Sequence, residues 1–416
     1  MLACDLNRPF QAMEGEEVRY LRLRITPNAG GQTLGRPLPL DVALALDASS
    51  SMIGAPFDQA RLAATRLAEL LRPGDRLSLA LFHGAVVELV RGLNGASAQR
   101  EAASRLAVAT TGFGTRIDLA LDWLAAAATP VPGRARLAVL VTDGHPYDAA
   151  RKPMVDLAPL HSRAAALGRA GVPLQAIGLG RPELFNAPLL HALCRVGGGG
   201  RFIHARTTDA LTPELLDVLE PAQSVRDADA RLVVEPHLPG LQLEAAARIA
   251  PSFAPLPIAP GQSRGPVVAV GEVGGVTELM LRLRVPGPGE GAQPGQRPLL
   301  SLHLNVAGSQ ASLAVPITFT LSLDRVMTVQ ESVERAAADW RFQDQAALLI
   351  SSQDPGRTGE IARAMLREAT RSGSIALVNA ARQLQADLGT GANPAVSTSR
   401  LLDEAGRRRI AEGKPA

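Results

Sequence analysis

Cysteine, lysine and aromatic residues are all scarce in this chain of 416 residues, and each shortage removes a class of protein. The two cysteines, Cys4 and Cys194, stand far apart in no Cys-x-x-Cys or Cys/His spacing, so neither a disulfide framework nor a zinc site is indicated. Aromatics make up only 3% of the residues, which leaves Ala, Leu and Val to fill the core. Lysine occurs only at Lys152 and Lys414, so the positive charge is nearly all arginine, which reads as a compositional bias. A net charge of +3 and a pI near 9.3 are too mild and too scattered to argue for nucleic acid. No run of roughly 18 consecutive apolar residues is present, so no transmembrane helix is expected. The opening "MLACDLNRPFQAMEGEE" has no long apolar core and no basic stretch before "MLAC", which argues against a signal peptide or lipobox and for a cytoplasmic location.

Two familiar motifs are missing as well. The glycine clusters at 197–200 and 271–275 lack a following Gly-Lys-Ser/Thr, so there is no P-loop. No Gly-x-Ser-x-Gly elbow places a serine as a hydrolase nucleophile. What remains is a composition of 46% hydrophobic and 20% charged residues, that of a soluble globular protein with room for two or three domains.

The patterning divides the chain. Residues 18–27 alternate apolar and polar like a half-exposed strand, and a Gly/Pro-rich linker follows at 28–39. From 38 to 222 continuous apolar strands (40–47, 76–82, 85–90, 135–144, 172–180, 201–205) alternate with amphipathic helices near 55–75, 98–107, 116–128, 154–170, 185–196 and 209–220. Buried strands alternating with helices predict a doubly wound, Rossmann-like α/β domain with a parallel sheet. Short alternating segments separated by Gly/Pro turns over 223–326 predict an antiparallel β-sandwich. Residues 1–37 are expected to join that sandwich, with the α/β domain as a long insertion, and 327–416 to form a C-terminal helical region, where Val329, Val333, Ala336 and Trp340 keep helical spacing. "DADAR" (227–231) reads as a polar linker, and Arg407, Arg408 and Arg409 as the solvated end of a helix.

Chemistry is concentrated at strand ends of the α/β block, where a doubly wound sheet builds its ligand site. "ALALDASSSMIG" (43–54) delivers Asp47, Ser49 and Ser51 from a buried strand; "TTGFGT" delivers Thr115 after bends permitted by Gly112 and Gly114; "VTDG" delivers Asp143 ahead of Gly144. Two carboxylates and three hydroxyls, without nitrogen or thiolate, suit a hard divalent cation better than zinc. Each element alone has a structural reading, since Ser and Asp after a strand commonly cap the next helix. His83 and His145 fall at nearby strand ends and read as loop histidines.

The order Asp-x-Ser-x-Ser, a Gly-flanked Thr and Thr-Asp-Gly resembles the metal-ion-dependent adhesion site of von Willebrand factor A domains over about 38–222, with Ser50 where that motif usually has Gly. The resemblance implies that Ser49, Ser51 and Thr115 give hydroxyls to Mg²⁺ (Mn²⁺ or Ca²⁺ as alternatives), while Asp47 and Asp143 act largely through water or hydrogen bonds. One position would stay open for a Glu or Asp carboxylate of a protein partner, rimmed by Gly114, Gly144 and His145. The inserted arrangement is similar to bacterial relatives of inter-alpha-trypsin inhibitor heavy chains and calcium-activated chloride channels, which implies work beside an AAA+ ATPase of the MoxR type. A binding module rather than an enzyme is therefore expected. The alternative is a hydrolase or phosphoryl-transfer enzyme on the same Mg²⁺, which needs a general base that no His/Glu pair supplies.

Overall fold

The computed structural model describes residues 2–26, 36–179, 186–205, 207–250, 253–261, 264–306, 309–352, 354–391, 393–399 and 401–402. Most of the linker expected at 28–39, and Arg407, Arg408 and Arg409, lie outside them. Two compact units form. One comprises Met1–Arg36, Arg226–Ala346 and Glu360–Ala381; the other comprises Pro37–Val225, Ala347–Gly359 and Arg382–Ala416. The first unit opens with strands β1 (Leu2–Leu6), β2 (Phe10–Ala12) and β3 (Glu17–Ile25).

The second unit is the α/β block. Its elements run β4 (Leu40–Asp47), α1 (Ala55–Glu69), β5 (Arg76–Phe82), β6 (Val86–Asn94), α2 (Gly95–Ala107), α3 (Ile117–Ala127), β7 (Ala135–Thr142), α4 (Ala158–Arg169), β8 (Leu174–Leu179), α5 (Ala187–Val196), β9 (Phe202–Ala205) and α6 (Leu211–Gln223). They build a six-stranded sheet of order β6-β5-β4-β7-β8-β9. The strand at its β6 edge departs from the expected parallel arrangement and runs antiparallel to β5. Only residues 83–85 join the two strands, closed by a bond from His83 N–H to the Ala85 carbonyl at 2.9 Å, and a parallel pair would need a long crossover.

β4 shows why this sheet accepts helices on both sides. Leu40, Val42, Leu44 and Leu46 pack with α1, α2 and α6, while Ala43 and Ala45 join a second cluster with α3, α4 and α5. A strand covered on both faces reads as an unbroken apolar run, and each fully buried leucine contributes about 1.5–3 kcal/mol. Chain order reverses at β4, which has β5 on one side and β7 on the other. The carboxyl ends of β4 and β7 thus define the crevice where such sheets bind ligands.

The rest of the first unit adds β10 (Asp227–Pro236), β11 (Gln242–Ala250), β12 (Ala254–Leu256), β13 (Ile258–Ala259), β14 (Val267–Val273), β15 (Thr277–Val285), β16 (Gly295–Val306) and β17 (Ser309–Thr320). Two sheets result, β1-β3-β15-β11-β12 and β13-β14-β10-β16-β17-β2. They share one core, in which Leu21, Leu23, Leu279 and Leu281 of the first sheet join Leu232, Val234, Leu302 and Ile317 of the second. The sandwich is antiparallel except for β2, which pairs in parallel with β17. The N-terminal segment therefore serves both sheets, and the α/β block is inserted between β3 and its sheet partner β15. "DADAR" is not a linker but the start of β10: Ala228 and Ala230 are buried while Asp229 and Arg231 face out, the period of a strand.

Helices α7 (Leu323–Val326), α8 (Glu331–Ser351), α9 (Pro355–Ser372) and α10 (Ile375–Gly389) follow. Val333, Ala337 and Trp340 of α8 cover Tyr20, Ala247 and Met280, with the Tyr20 and Trp340 rings edge-to-face at 5.8 Å. Val329, expected on the same stripe, precedes the helix and is half exposed. Among the described residues no helix is long and apolar enough to cross a membrane.

Candidate metal centre

Asp47 closes β4 with a fully buried side chain, and both of its carboxylate oxygens are engaged. Oδ1 accepts from the Ser49 backbone N–H at 2.8 Å and Oδ2 from the Thr142 hydroxyl at 2.6 Å. The chain then makes a single 3₁₀ turn, Ser50–Met52, anchored by the buried Met52 and by a bond from its N–H to the Ser49 carbonyl at 3.0 Å. That turn brings the Ser49 and Ser51 hydroxyls to 3.0 Å from each other, and Ser51 donates to Asp143 Oδ1 at 2.9 Å. The β4 and β7 ends are thereby linked through a serine and a carboxylate 92 residues apart in sequence.

Thr115 completes the group. Its loop is tied to the first one by a bond from Gly112 N–H to the Ala48 carbonyl at 2.7 Å and a bridge between Ser49 and Gly112. A Cβ on Gly112 would lie 2.8 Å from the His83 ring, so glycine is what lets the loop approach; Gly114 instead has φ +89°, which a larger residue adopts only with strain. A Cβ on Gly144 would stand 3.1 Å from Thr115 Oγ1, which places that hydroxyl against the Asp143 loop. His145 is exposed beside it.

These hydroxyls do not cap helices. The cap of α1 is Gly54 and that of α3 is Arg116, neither with a side-chain cap bond, and Ser49 makes none to its 3₁₀ turn. The capping alternative that the sequence leaves open is thus removed. Among the described residues no three His, Cys, Asp or Glu side chains cluster as metal ligands, so any cation here would rest on hydroxyls. Thr142 was not singled out from sequence, although it sits in the same Thr-Asp-Gly; its position on β7, level with the buried Asp47, is what gives it a role.

The electrostatics point the same way. Burial, with the Asp143 charge adding to it, pushes the Asp47 carboxyl up to about 7 against the bonds from Thr142 and Ser49. Burial also raises Asp143, against the bond from Ser51. Among the described residues neither carboxylate has an arginine or lysine partner, so the pair lacks positive charge. The donor set fits a hard cation: all oxygen, small side chains, on three loops held together by backbone bonds.

Residues 41–216 match the family profile of the von Willebrand factor type A domain, and the α/β unit has that Rossmann-like fold. Comparison of the whole sequence with curated proteins returns no match. Among solved structures, a von Willebrand factor type A protein from Catenulispora acidiphila is similar over 97% of this chain and 96% of its own, at 16% identity and a TM-score of 0.76. The ArnB paralog VWA2 from Sulfolobus acidocaldarius is similar over 97% of each chain, at 15% identity and a TM-score of 0.61. At such identities the likeness is one of fold, and it extends across both units' sequence.

Proposed function

We propose that the α/β unit holds a divalent cation, Mg²⁺ first, at Ser49, Ser51, Thr115, Asp47 and Asp143, and uses it to capture a carboxylate of a partner protein. The observation that carries this reading is the hydroxyl–carboxylate chain Ser49–Ser51–Asp143, closed at the switch point of the sheet by side chains that cap nothing. Asp47 has both oxygens committed to Thr142 and Ser49, so it orients the loop and balances charge. The bound cation would supply an electrophilic open position for an incoming Glu or Asp. Gly114, Gly144 and His145 form the rim on which that partner would rest, and a module of this kind binds rather than turns over.

A Mg²⁺-dependent hydrolase would need a base at the site, and among the described residues no histidine or glutamate hydrogen-bonds any of the five side chains. A cytoplasmic complex with a MoxR-type AAA+ ATPase belongs to the same proposal. The test is co-purification of the tagged full chain from its native cells with Mg²⁺ or with EDTA. A partner retained only with Mg²⁺, and lost with Thr115→Ala, is expected. A partner set indifferent to both, or Mg²⁺-dependent turnover of a phosphate or carboxyl ester, would overturn the reading.

A further inference from the structure

Each of the three loops around the five residues carries an exposed apolar side chain: Ile53 after Ser51 at 66% exposure, Phe113 before Thr115 at 75%, and Val155 beyond Asp143 at 95%. Single exposed apolar residues are ordinary, but Phe113 is the one aromatic in the exposed class among the described residues. Its backbone is held in place on both sides. Gly112 abuts the His83 ring, and a Cβ on Gly84 would lie 2.7 Å from the Phe113 carbonyl oxygen.

The third loop has a second property. Residues 147–153 form a closed tongue: Tyr147 bridges to Pro153, Asp148 N–H bonds the Lys152 carbonyl at 2.8 Å, and Met154 N–H bonds the Pro146 carbonyl at 2.9 Å. It stands on the site itself, since Tyr147 N–H donates to the Thr115 carbonyl at 3.0 Å. At its tip Arg151 has φ +61°, the one non-glycine residue with positive φ among those described. Glycine or asparagine holds that conformation with less strain, and strain of this kind gathers where a side chain is kept for use. Asp148 accepts from Lys152 N–H at 2.8 Å and its charge also reaches Arg116, while Asp156, just beyond the tongue, accepts from Ala158 N–H at 3.0 Å. Arg151 and Lys152 are exposed and make no ion pair among the described residues, so the tip presents two cations.

We propose that this face selects a partner segment that is both acidic and apolar: one carboxylate for the cation, a second acidic group for Arg151 and Lys152, and a bulky apolar side chain against Phe113. The selection rests on the cation-bridged reading above, but it is carried by residues that touch no cation. Charge complementarity decides the class of partner, because an exposed basic tip beside a cation repels basic segments and leaves neutral ones unrewarded.

The probe is a panel of immobilised synthetic peptides with a central Glu, varied to carry or lack a neighbouring Leu or Phe and a second Asp. The full chain is passed over it with Mg²⁺ or EDTA. Mg²⁺-dependent retention should be strongest for peptides carrying both features, and Phe113→Ser should weaken it about tenfold, as loss of an interface anchor does. Arg151→Asn with Lys152→Gln should weaken it similarly and flatten its salt dependence, while the melting temperature holds because Asn suits the tip. Mg²⁺-dependent retention blind to the flanking residues, or unchanged by these variants, overturns this inference and leaves the cation site standing. Retention of no acidic peptide overturns it too if Mg²⁺ still raises the melting temperature. Loss of that thermal response in the wild-type chain sinks the cation reading itself.

Discussion

The Ser51 hydroxyl donates to Asp143 Oδ1 across 2.9 Å, joining the turn after the first strand of the α/β unit to the end of β7. Ser51 is exposed and Asp143 is buried, so the bond runs from the open side of the site to its floor. A hydroxyl and a carboxylate so placed can turn together towards a cation without moving the strands. Mg²⁺ binds only the folded state in this reading, so saturation at 100 times Kd should stabilise the unit by about 2.7 kcal/mol. For a domain of this size that is a rise of roughly 5–10 °C in melting temperature. Ser51→Ala, Thr115→Ala and Asp143→Ala should each remove most of the rise while leaving the circular dichroism spectrum unchanged. A rise that survives all three would mean the cation binds elsewhere.

The pH dependence follows from Asp47. Its folded-state value of about 7 lies above the ordinary 3.8, so the folded chain holds this proton more tightly than the unfolded chain does. Between those values stability from this group falls as pH rises, and it is fully present only below pH 3.8. A cation reverses the preference by favouring the ionised form. The thermal response to Mg²⁺ should therefore be small at pH 5 and large at pH 8. Thr142→Val would remove the donor at 2.6 Å, raise Asp47 further and move the onset of the Mg²⁺ response to higher pH, although Thr142 contacts no cation. A response equal at the two pH values would contradict this account of Asp47.

At the opposite end of the α/β sheet, Asp75 is fully buried and collects five donors. Leu40 N–H and Arg72 Nη2 reach Oδ1, and Arg72 N–H, Arg72 Nε and Gln223 Nε2 reach Oδ2, at 2.8–3.2 Å. Arg72 also donates to the Leu38 and Gln223 carbonyls, so this pair clasps together the two ends of the segment Pro37–Val225. Asp75→Ala strands several of those donors and should cost at least ~2 kcal/mol in urea unfolding. The Mg²⁺ response at the far end of the sheet should persist. A loss below ~0.5 kcal/mol, the usual range for exposed positions, would show that the clasp is not structural.

Deleting residues 1–26 would remove β1, β2 and β3 together. Leu21, Leu23 and Ile25 would leave the sandwich core, at about 1.5–3 kcal/mol each, and β15 would become an unpaired edge. The truncated chain should aggregate, whereas residues 37–225 expressed alone should fold and keep the thermal response to Mg²⁺. A soluble, cooperatively unfolding truncation would show that the N-terminal strands are dispensable.

Much was legible in the primary structure because two periods carry it. The unbroken apolar run at 40–47 reads as a strand covered on both faces, and it is one. The alternation at 18–25 reads as half-exposed, but packing covers both faces of that strand: Leu21, Leu23 and Ile25 enter the sandwich core, Tyr20 lies under α8, Arg19 is buried and Val18 is exposed. The three loops that carry the candidate residues could be located as well, since residues at strand ends need only the order of elements to be found. Tertiary structure decided what periodicity cannot express. A three-residue link turned β6 antiparallel, and alternate alanines in "DADAR" became buried only because neighbouring strands closed over them. Whether Ser49 and Ser51 cap a helix or face each other depends on loop paths, and so does the pairing of Thr142 with Asp47 from 95 residues away. Local sequence sets which groups a loop carries; only the packing of distant strands sets which of them meet, because a hydrogen bond forms within about 3 Å whatever the separation along the chain.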